Sequence, residues 1–518
     1  MKKNYLYILI AATLMAACRP ESDNLLSYGQ NDGRTFDIAE SSYEEQFKAL
    51  WTALNCNYGI WDYEAEHGLD WDEVYETYLP KFQELDKKEE VTDDEFSQLY
   101  SEIINPLHDG HLWVQVRNLK TGRYINYMPG YTRNYHRDEF QHSDKFKPDI
   151  SAYKSQSGIF HMTEYLDINT SPVAFVQSSL ETFAQAVANK MDEFEHKSTL
   201  SDSEQFIYDY CSRFREEYDN MQGLSNNALI QQYNSICDKY AELGNYLNTK
   251  LIKADSKLAD QAISLEYGFF ESGIVYLHLS DFHLLPYLND NYFAYFADAN
   301  NAGSQAMQKA VKDVWNKWFD KIQLLDNNQR LKGVIIDVRS NGGGFVNDYQ
   351  YVLGALLPSG GYTSHQLRTK NGTGRYDFSP LMNFTLPTYK ENHTVVSAPI
   401  VVMTNCSSVS MSETTAWGAK TLDNGYVIGT RTWGGLCALS TDPKSFSDTY
   451  ASAFGVANET AIYAYIPKYI AVLPGLGIQE GVGVIPDVEV AFDEDLFNST
   501  GRDSQLERAI EFICSEVQ

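Results

Sequence analysis

Residues 331–357 read LKGVIIDVRSNGGGFVNDYQYVLGALL, and this stretch decides the fold class. A short apolar run of strand length leads into three consecutive glycines and then into a second apolar run. Three more segments are buried-strand candidates: 273–282, 398–405 and 425–430. Helices are predicted to alternate with these strands, over 304–325, 345–357 and 411–421. Strands that alternate with helices indicate an α/β domain whose sheet is substantially parallel.

The rest of the chain divides into segments of different character, which makes the whole protein α+β. Residues 43–105 carry aromatic and aliphatic residues at helical spacing and predict an N-terminal helical domain. Residues 106–171 predict a segment of strands and loops, and residues 172–262 a helical insertion. The α/β core is predicted over 263–518. The insertion is either a lid over the sheet or an extra structural module.

The N-terminus predicts export and lipidation. Lys2 and Lys3 precede an apolar stretch that is too short to cross a bilayer, which is typical of a secretory leader. The sequence LMAAC that ends at Cys18 resembles a bacterial lipobox, with Met15 where leucine is usual. We therefore predict a lipoprotein signal peptide over 1–17, lipidation of Cys18 and a polar tether over 18–42. The alternative is an ordinary secreted protein whose cysteine is coincidental.

Charge and cysteine content exclude several classes of function. The net charge is −29, which argues against a nucleic-acid partner because such binding depends on Lys and Arg contacts to phosphate. Six cysteines remain after the leader, and their irregular spacing favours neither a disulfide framework nor a zinc site. They are Cys56, Cys211, Cys237, Cys406, Cys437 and Cys514. We predict no metal and no organic cofactor.

Two strand-to-helix crossings of the α/β core are candidate sites. The first contains Gly342, Gly343 and Gly344, whose backbone N–H groups can approach a ligand closely. The second is TNCSSVSMSETTAWGAK, residues 404–420, in which a serine at the carboxyl edge of the sheet could act as a nucleophile. Taken alone, the second stretch is more simply explained by Ser412 capping a helix that has Glu413 in its first turn.

A nucleophilic serine needs a base, and NPLHDGHLWV, residues 105–114, offers two histidines. His111 lies where the chain enters a predicted strand, a position that is rigid enough to orient an imidazole ring. His108 is interpreted as a loop histidine. A single histidine is usually structural, so these residues carry weight only in combination with the two crossings.

Four segments occur in an order that resembles a known peptidase family. They are LHDGHLWV, LKGVIIDVRSNGGG, the serine stretch extended to TWGG, and GIQEGVGVIPDVEV. Together they resemble the C-terminal-processing peptidases, specifically the tricorn-core-like branch, and residues 47–62 and 69–78 also resemble lipoproteins of Bacteroides-type bacteria. The resemblance covers about 43–116 and 265–495. It implies a ClpP/crotonase-like α/β catalytic core, although the PDZ domain of many members is not recognisable here.

The resemblance implies a nucleophile and its oxyanion donors. Ser410, the first serine of SMSE, matches the family's nucleophile. Met411 matches one oxyanion N–H donor, and Gly343 or Gly344 the other. The family's Ser–Lys dyad is excluded at the expected place, because Gly435 stands where the lysine belongs.

The tricorn-like branch uses a histidine base, which matches His111, and a glutamate that matches Glu480. A neutral imidazole can accept the serine proton at neutral pH without the deep burial that a lysine requires. A serine precedes the histidine in that branch, whereas this chain has Gly110. The acid that orients His111 is therefore either Glu480 or Asp109.

These observations predict a lipid-anchored serine peptidase outside the cytoplasm that hydrolyses peptide or protein substrates. We expect an outer-membrane lipoprotein that faces the periplasm or the cell surface; the sequence leaves the oligomeric state open. One alternative is a non-catalytic binding lipoprotein on the same scaffold. Another is an accessory lipoprotein of glycan uptake, which rests on the 36 tyrosines and the type of bacterium.

Overall fold

A computed structural model describes residues 42–143, 160–258, 262–372, 374–389, 395–438, 453–455, 457–467 and 469–515. The predicted leader, Cys18 and nearly all of the tether lie outside the described residues. The chain forms two compact units from segments that alternate along the sequence. The first unit is Met1–Gln141, Thr363–Phe384 and Trp433–Val484. The second unit is His142–Tyr362, Thr385–Thr432 and Ile485–Gln518.

The first unit begins with the helices predicted at the N-terminus. They are α1 Tyr43–Asn57, α2 Trp61–Glu66, α3 Trp71–Asp86 and α4 Asp93–Ile104. The Thr92 hydroxyl accepts the N–H of Glu95, as expected of an N-cap. The predicted apolar stripe of α1 is buried, and the rings of Phe47 and Phe82 stack with centroids 4.6 Å apart. Aromatic packing thus holds these helices together.

Two small sheets and two short helices complete the first unit. Strands β1 Trp113–Arg117 and β2 Tyr124–Tyr127 pair antiparallel, and helices α5 Pro129–Tyr135 and α6 Asp138–Ser143 follow. Later strands extend the first sheet to the order β11-β12-β1-β2, and a second sheet has the order β13-β7-β8. Their bounds are β7 Tyr362–Thr369, β8 Met382–Leu386, β11 Ala453–Phe454, β12 Ile462–Tyr465 and β13 Tyr469–Val472.

The second unit is built on a seven-stranded sheet, and the predicted α/β class is confirmed. The strand order is β14-β10-β9-β6-β5-β4-β3, and the five strands from β14 to β5 are parallel to their neighbours. Their bounds are β3 Met162–Asn169, β4 Ser264–Phe270, β5 Ile274–Leu279, β6 Gly333–Asp337, β9 Ile400–Thr404, β10 Gly425–Gly429 and β14 Val488–Glu489. All residues of β5, β6 and β9 are buried, as their continuous apolar character predicts.

Helices of the second unit fall into two groups. One group forms the predicted helical block: α7 Pro172–Glu195, α8 Asp202–Asn220, α9 Asn226–Lys239 and α10 Ala241–Tyr246. This block has its own core, with Phe183, Phe214, Tyr233 and Tyr240 at its centre. The other group accompanies the sheet: α11 Leu285–Leu288, α12 Asp290–Phe296, α13 Ala302–Asn327, α14 Met411–Lys420, α15 Glu494–Thr500 and α16 Ser504–Ser515.

The helix predicted over 345–357 is wrong in type. The segment forms two 3₁₀ helices, Val346–Tyr351 and Leu353–Leu356. Val352 between them has φ −115° and ψ −106°, which interrupts the helical path. Gly354 follows at a point where a Cβ would lie 2.6 Å from the Pro387 carbonyl oxygen, so tertiary packing fixes the break.

A buried ion network fixes the end of β6 to the C-terminal helix. The Arg339 guanidinium donates to Asp337 (2.6 Å), Asp503 (2.7 Å) and Gln505 (2.9 Å), and all four side chains are buried. Burial alone would raise the pKa of Asp337, but the charge of Arg339 holds that pKa below its usual value. Such a pairing keeps the charges satisfied where solvent cannot reach them.

Candidate active site

Two neighbouring strands of the second unit end side by side, and each leads into a turn. Strands β6 and β9 are parallel, with Asp337 in register with Met403. We call residues 338–345 the glycine turn and residues 405–411 the serine turn. Parallel strands carry their carboxyl ends at one edge of the sheet, where α/β folds place their sites.

Asn341 joins the two turns from within the core. Its amide nitrogen donates to the Leu279 carbonyl (2.8 Å), and its amide oxygen accepts from the Gly343 N–H (2.8 Å) and the Ser412 hydroxyl (2.9 Å). The Val409 N–H donates to the Asn341 carbonyl (3.0 Å). Asn341 is fully buried, so one side chain ties the glycine turn to the start of α14.

Asn405 makes the reciprocal connection from the serine turn. Its side-chain oxygen accepts from the N–H groups of Ser340 (2.8 Å) and Ser407 (3.0 Å). The Ser408 hydroxyl donates to the Val338 carbonyl (2.7 Å). Ser407 and Ser408 therefore shape the turn, and Ser412 fixes the start of α14. Ser410, between them, is the N-cap residue of α14 and forms a capping box with Glu413.

The backbone of Ser410 is strained. Its φ is 58° and its ψ is −112°, a combination that costs a non-glycine residue free energy of order 1–3 kcal/mol. The Ser410 N–H donates to a Glu413 carboxylate oxygen (3.1 Å), and the other carboxylate oxygen accepts from the Thr432 hydroxyl (2.6 Å). Glu413 is fully buried, so the strain is maintained by the surrounding structure.

The glycine turn contacts Ser410 directly. Gly343 and Gly344 have φ of 95° and 140°. A Cβ at Gly343 would lie 2.6 Å from the Ser410 Cβ and 3.0 Å from the Met411 nitrogen, so only glycine permits this approach. The Gly343 N–H donates to the Asn341 side-chain oxygen. The N–H of Phe345, the residue after Gly344, donates to the Phe282 carbonyl (2.8 Å).

Met411 and Gly344 are the remaining oxyanion candidates. Within the described part of the chain, no acceptor is found for the N–H of either residue. Met411 opens α14, where the first N–H groups have no partner inside the helix. Gly344 is exposed, so its N–H can be reached from solvent. The pair Met411 and Gly344 therefore has donors that are free to bind a developing oxyanion.

The predicted base lies in the first unit, on what we call the histidine loop, residues 105–112. The buried Asp109 carboxylate accepts the N–H groups of His111 (2.8 Å) and Leu112 (3.0 Å). Burial raises the pKa of Asp109 to about 7, although these two N–H groups favour the charged form. Asp109 thus supports the backbone of the histidine, not its ring.

Glu480 holds the same loop from another side. Its carboxylate accepts the N–H of Gly110 (2.8 Å) and the N–H of Cys437 (2.5 Å), and the residue is buried. The Tyr63 hydroxyl donates to the Glu480 carbonyl (3.0 Å). Glu480 is thereby a junction between the histidine loop and residues 433–437. Glu480 thus binds the backbone of Gly110, the residue that precedes His111.

The His111 ring sits in an apolar setting. Its Nδ1 atom is buried and has no hydrogen-bond partner among the described residues. Burial lowers the pKa of His111 from 6.5 to about 4. Gly435 lies against the ring: a Cβ there would be 3.2 Å from His111 Cε1 and 3.3 Å from Nδ1. His111 is therefore neutral at physiological pH, as a general base must be.

His108 has a structural role, in line with its interpretation as a loop histidine. Its Nδ1 lies 2.7 Å from a carboxylate oxygen of the buried Glu64, whose other oxygen accepts the His108 N–H (2.8 Å). The Tyr58 hydroxyl also donates to Glu64 (2.6 Å). Arg133 donates to the His108 carbonyl (2.7 Å). Helices α2 and α5 thus anchor the histidine loop.

The predicted site residues fall into two groups, one in each unit. Ser410, Met411, Gly343 and Gly344 belong to the second unit, whereas His111 and Glu480 belong to the first. Sequence reasoning missed the supporting residues Asn341, Asn405 and Glu64. An asparagine that follows each of two buried strands is a signal that could have indicated the first two.

The described residues contain no group of three or more His, Cys, Asp or Glu side chains that could hold a metal ion. In the same residues, no helix combines the length and the apolar character that a membrane span needs. Among the described residues, Cys56, Cys211, Cys237 and Cys437 form no disulfide.

Comparison with known proteins finds a peptidase family that matches the part of the chain with both turns. Residues 273–490 match the family model described as Peptidase family S41. The resemblance drawn from the four segments is thereby confirmed. Residues 42–143, which hold the histidine loop, lie before the matched range.

Individual relatives agree with this family. A tricorn protease of Thermoplasma volcanium is 30% identical over 187 residues, which are 36% of this chain and 15% of that protein. A carboxy-terminal-processing protease of Bartonella bacilliformis is 27% identical over 184 residues, covering 36% of this chain and 35% of that protein. A solved structure from Parabacteroides merdae is 17% identical, covers 92% of this chain and 98% of that one, and has a TM-score of 0.46. The chain thus spans 15–35% of the length of the curated relatives it matches.

Proposed function

We propose that this protein is a serine peptidase in which Ser410 is the nucleophile and His111 the base. The observation that carries the proposal is the strained Ser410, with φ 58° and ψ −112°, at the start of α14 and in contact with the glycine turn. The turn leaves this serine partly accessible and places the N–H of the next residue beside it. The match of residues 273–490 to a peptidase family supports the same activity.

In the proposed reaction, the Ser410 oxygen forms a bond to the scissile carbonyl carbon while its proton moves to His111. The tetrahedral oxyanion accepts hydrogen bonds from the N–H groups of Met411 and Gly344. Each such donor contributes about 3 kcal/mol to lowering the barrier. His111 then gives the proton to the leaving amine, and a water molecule hydrolyses the acyl-enzyme by the same steps in reverse order.

Glu480 and Asp109 are positioning residues in this mechanism. Both accept backbone N–H groups of the histidine loop, at Gly110 and at His111 itself. The pairing of Ser410 with His111 joins residues of different units, and it rests on the family resemblance and on the chemistry of each residue. It therefore stays a prediction that an experiment must test.

A fluorophosphonate probe tests the nucleophile and the base. We expect the probe to label the wild type and not Ser410→Ala, because only a nucleophilic serine forms the covalent adduct. In His111→Ala, labelling should slow by at least about 100-fold, the contribution that a general base makes. Ser407→Ala is the matched control and should label like the wild type. Equal labelling of Ser410→Ala and the wild type would contradict the proposal.

One observation favours the alternative, a binding protein on the same scaffold. The ring of a catalytic histidine is normally oriented by a hydrogen bond at its second nitrogen, and His111 Nδ1 has none among the described residues. Absence of labelling in a folded protein that retains a lipophilic ligand would support this second function.

We further propose that the mature protein is anchored to a membrane through a lipid on Cys18. The proposal rests on the LMAAC motif and the basic, apolar leader before it. The location at the outer membrane, facing the periplasm or the surface, follows from the same motif and is proposed with it.

A further inference from the structure

Helix α5 of the first unit exposes large apolar side chains. Tyr131 and Tyr135 are 46% and 51% exposed, and Met128, just before the helix, is 47% exposed. The two tyrosines are four residues apart and share one face of the helix, with ring centroids 5.8 Å apart. An exposed apolar group of this kind is typical of a binding surface.

The two exposed tyrosines pack against the buried Phe140 and the partly exposed Trp433. Tyr131 contacts the rings of Phe140 (5.8 Å) and Trp433 (6.3 Å), and Phe140 contacts Trp433 (5.8 Å). We use the name aromatic surface for Met128, Tyr131, Tyr135, Phe140 and Trp433. None of the five carries a charge, so the surface suits an uncharged, apolar ligand group.

The aromatic surface is contiguous with the histidine loop. The Trp433 indole N–H donates to the Gly110 carbonyl (3.2 Å), and the Asn134 amide donates to the Trp433 carbonyl (2.9 Å). Trp433 Cδ1 and His111 Cε1 lie 3.3 and 3.2 Å from the same point, the position of a Cβ on Gly435. The indole and the imidazole are therefore neighbours.

The helix that carries the surface is fixed to the same loop. A Cβ at Gly130 would lie 2.5 Å from the Gly110 carbonyl oxygen, so α5 starts in backbone contact with the loop. Arg133 donates to the carbonyls of Leu107 (3.1 Å) and His108 (2.7 Å). Rigid attachment keeps the aromatic surface at a constant distance from His111, as a specificity site requires.

We propose that the aromatic surface binds a large apolar or aromatic side chain of the peptide substrate, at a residue close to the scissile bond. This inference rests on the proposed function, because it places the substrate beside the base. Its carriers are Tyr131 and Tyr135, whose rings are the most accessible, with Trp433 between them and His111. The protein should therefore prefer peptides with Phe, Tyr, Leu or Met near the cleavage point over peptides with small polar residues there.

The preference can be measured with quenched fluorescent peptides that differ at one position, Phe against Ser. We expect the wild type to have a kcat/KM at least about tenfold higher for the Phe peptide, the discrimination that an apolar subsite provides. The double variant Tyr131→Ser/Tyr135→Ser should lose most of this ratio, and Tyr131→Phe/Tyr135→Phe should retain it. Tyr376→Ser, at a tyrosine of the same unit that is 56% exposed, is the matched control and should behave as the wild type.

Probe labelling separates a failed subsite from a failed fold. The double serine variant should still form the covalent fluorophosphonate adduct at Ser410, because the probe has no peptide side chain to place. An unchanged Phe-to-Ser ratio in a double variant that labels normally would overturn the proposal.

A binding measurement separates this inference from the proposed function. Calorimetric titration of the Ser410→Ala protein with the Phe peptide needs no catalysis, and the affinity should fall at least about tenfold when the two tyrosines are replaced by serine. Retention of that affinity would overturn the proposal. A dimer of the wild type that the double variant loses in sedimentation would also overturn it, since the surface would then join two copies of the chain.

Discussion

Gly110 and Gly435 are the two positions at which this chain departs from the peptidase pattern that its sequence resembles. A Cβ at Gly110 would lie 2.4 Å from the Gly434 carbonyl oxygen, so a side chain does not fit there without backbone movement. A Cβ at Gly435 would lie 3.2 Å from the His111 ring, so the imidazole would have to shift by a few tenths of an ångström. Glycine at both positions thus permits close packing between the histidine loop and residues 433–437.

The lowered pKa of His111 makes a prediction for the pH dependence of activity. Because burial holds this pKa at about 4 instead of 6.5, His111 stays neutral throughout the physiological range. The rate of probe labelling or kcat/KM should be level from pH 7 down to about 5. Below pH 4 it should fall about tenfold per pH unit, as the base becomes protonated.

If the pKa of His111 were unshifted, the rate would begin to fall at about pH 6.5. That outcome would contradict the buried setting of the ring. The exposed His196 provides a control: His196→Gln should not change the pH at which the rate begins to fall. Folding stability changes in the same sense. Between about pH 6.5 and about pH 4, this histidine binds a proton in the unfolded chain but not in the folded protein. Lowering the pH through that range therefore favours the unfolded chain, and the free energy of unfolding falls.

At the scale of elements, the serine turn and the glycine turn act as one structure. Each is anchored by a buried asparagine: the Asn405 side-chain oxygen accepts the Ser340 N–H, and the Asn341 side-chain oxygen accepts the Ser412 hydroxyl. Side-chain amides suit this task because they donate and accept at the same time. The strain at Ser410 is therefore supported by hydrogen bonds that the rest of the sheet edge provides.

Replacing Asn341 by alanine should destabilise this junction. The change leaves the Leu279 carbonyl and the Gly343 N–H without their partner in the core, at a cost of about 1–3 kcal/mol for a buried unsatisfied group. We expect the free energy of unfolding to fall by this amount and probe labelling of Ser410 to slow. Denaturant titration and labelling rates measure the two effects.

The control for this variant is Asn347→Ala, which changes the same residue type at an exposed position six residues later. It should alter the free energy of unfolding by less than about 0.5 kcal/mol. Equal unfolding curves for the two variants would contradict the role given to Asn341.

Helices and strands with a clear hydrophobic periodicity could be predicted from the sequence, and short elements could not. The buried strands β5, β6, β9 and β10 and the N-terminal helices occur where their apolar patterns predict them. Helix α5 was missed within the predicted strand and loop segment, because its exposed tyrosines give no amphipathic pattern. The 3₁₀ segments were predicted as one helix, since no local signal reveals the backbone angles of Val352.

At the scale of the whole molecule, the residues of the proposed mechanism come from both units, and the chain passes between the units several times. The proposed nucleophile and oxyanion donors belong to the second unit, and the proposed base and the aromatic surface belong to the first. Asp109, Glu480 and Glu64 all accept hydrogen bonds from the histidine loop. Contacts within the first unit therefore fix the position of the His111 backbone.

The anchor at Cys18 makes a prediction for the whole protein. The wild type expressed in its bacterial host should incorporate radiolabelled palmitate and sediment with membranes, because buried acyl chains contribute about 0.8 kcal/mol per CH₂. Cys18→Ala should lose the label and its membrane association, whereas the control Cys514→Ala keeps both. Undiminished labelling of Cys18→Ala would contradict lipidation at this residue.

The amino-acid sequence by itself determined the α/β class, most of the long helices and strands, and the candidates Ser410 and His111. The class and the elements follow from local periodicity, which needs no knowledge of distant contacts. The two candidate residues follow from the resemblance of four short segments to a peptidase family. Only the tertiary structure decided that Glu480 binds the Gly110 N–H, that Gly435 packs on the His111 ring and that α5 presents tyrosines beside Trp433. Those contacts join residues up to 370 positions apart, and their partners are set by how segments pack in space, which no local pattern encodes.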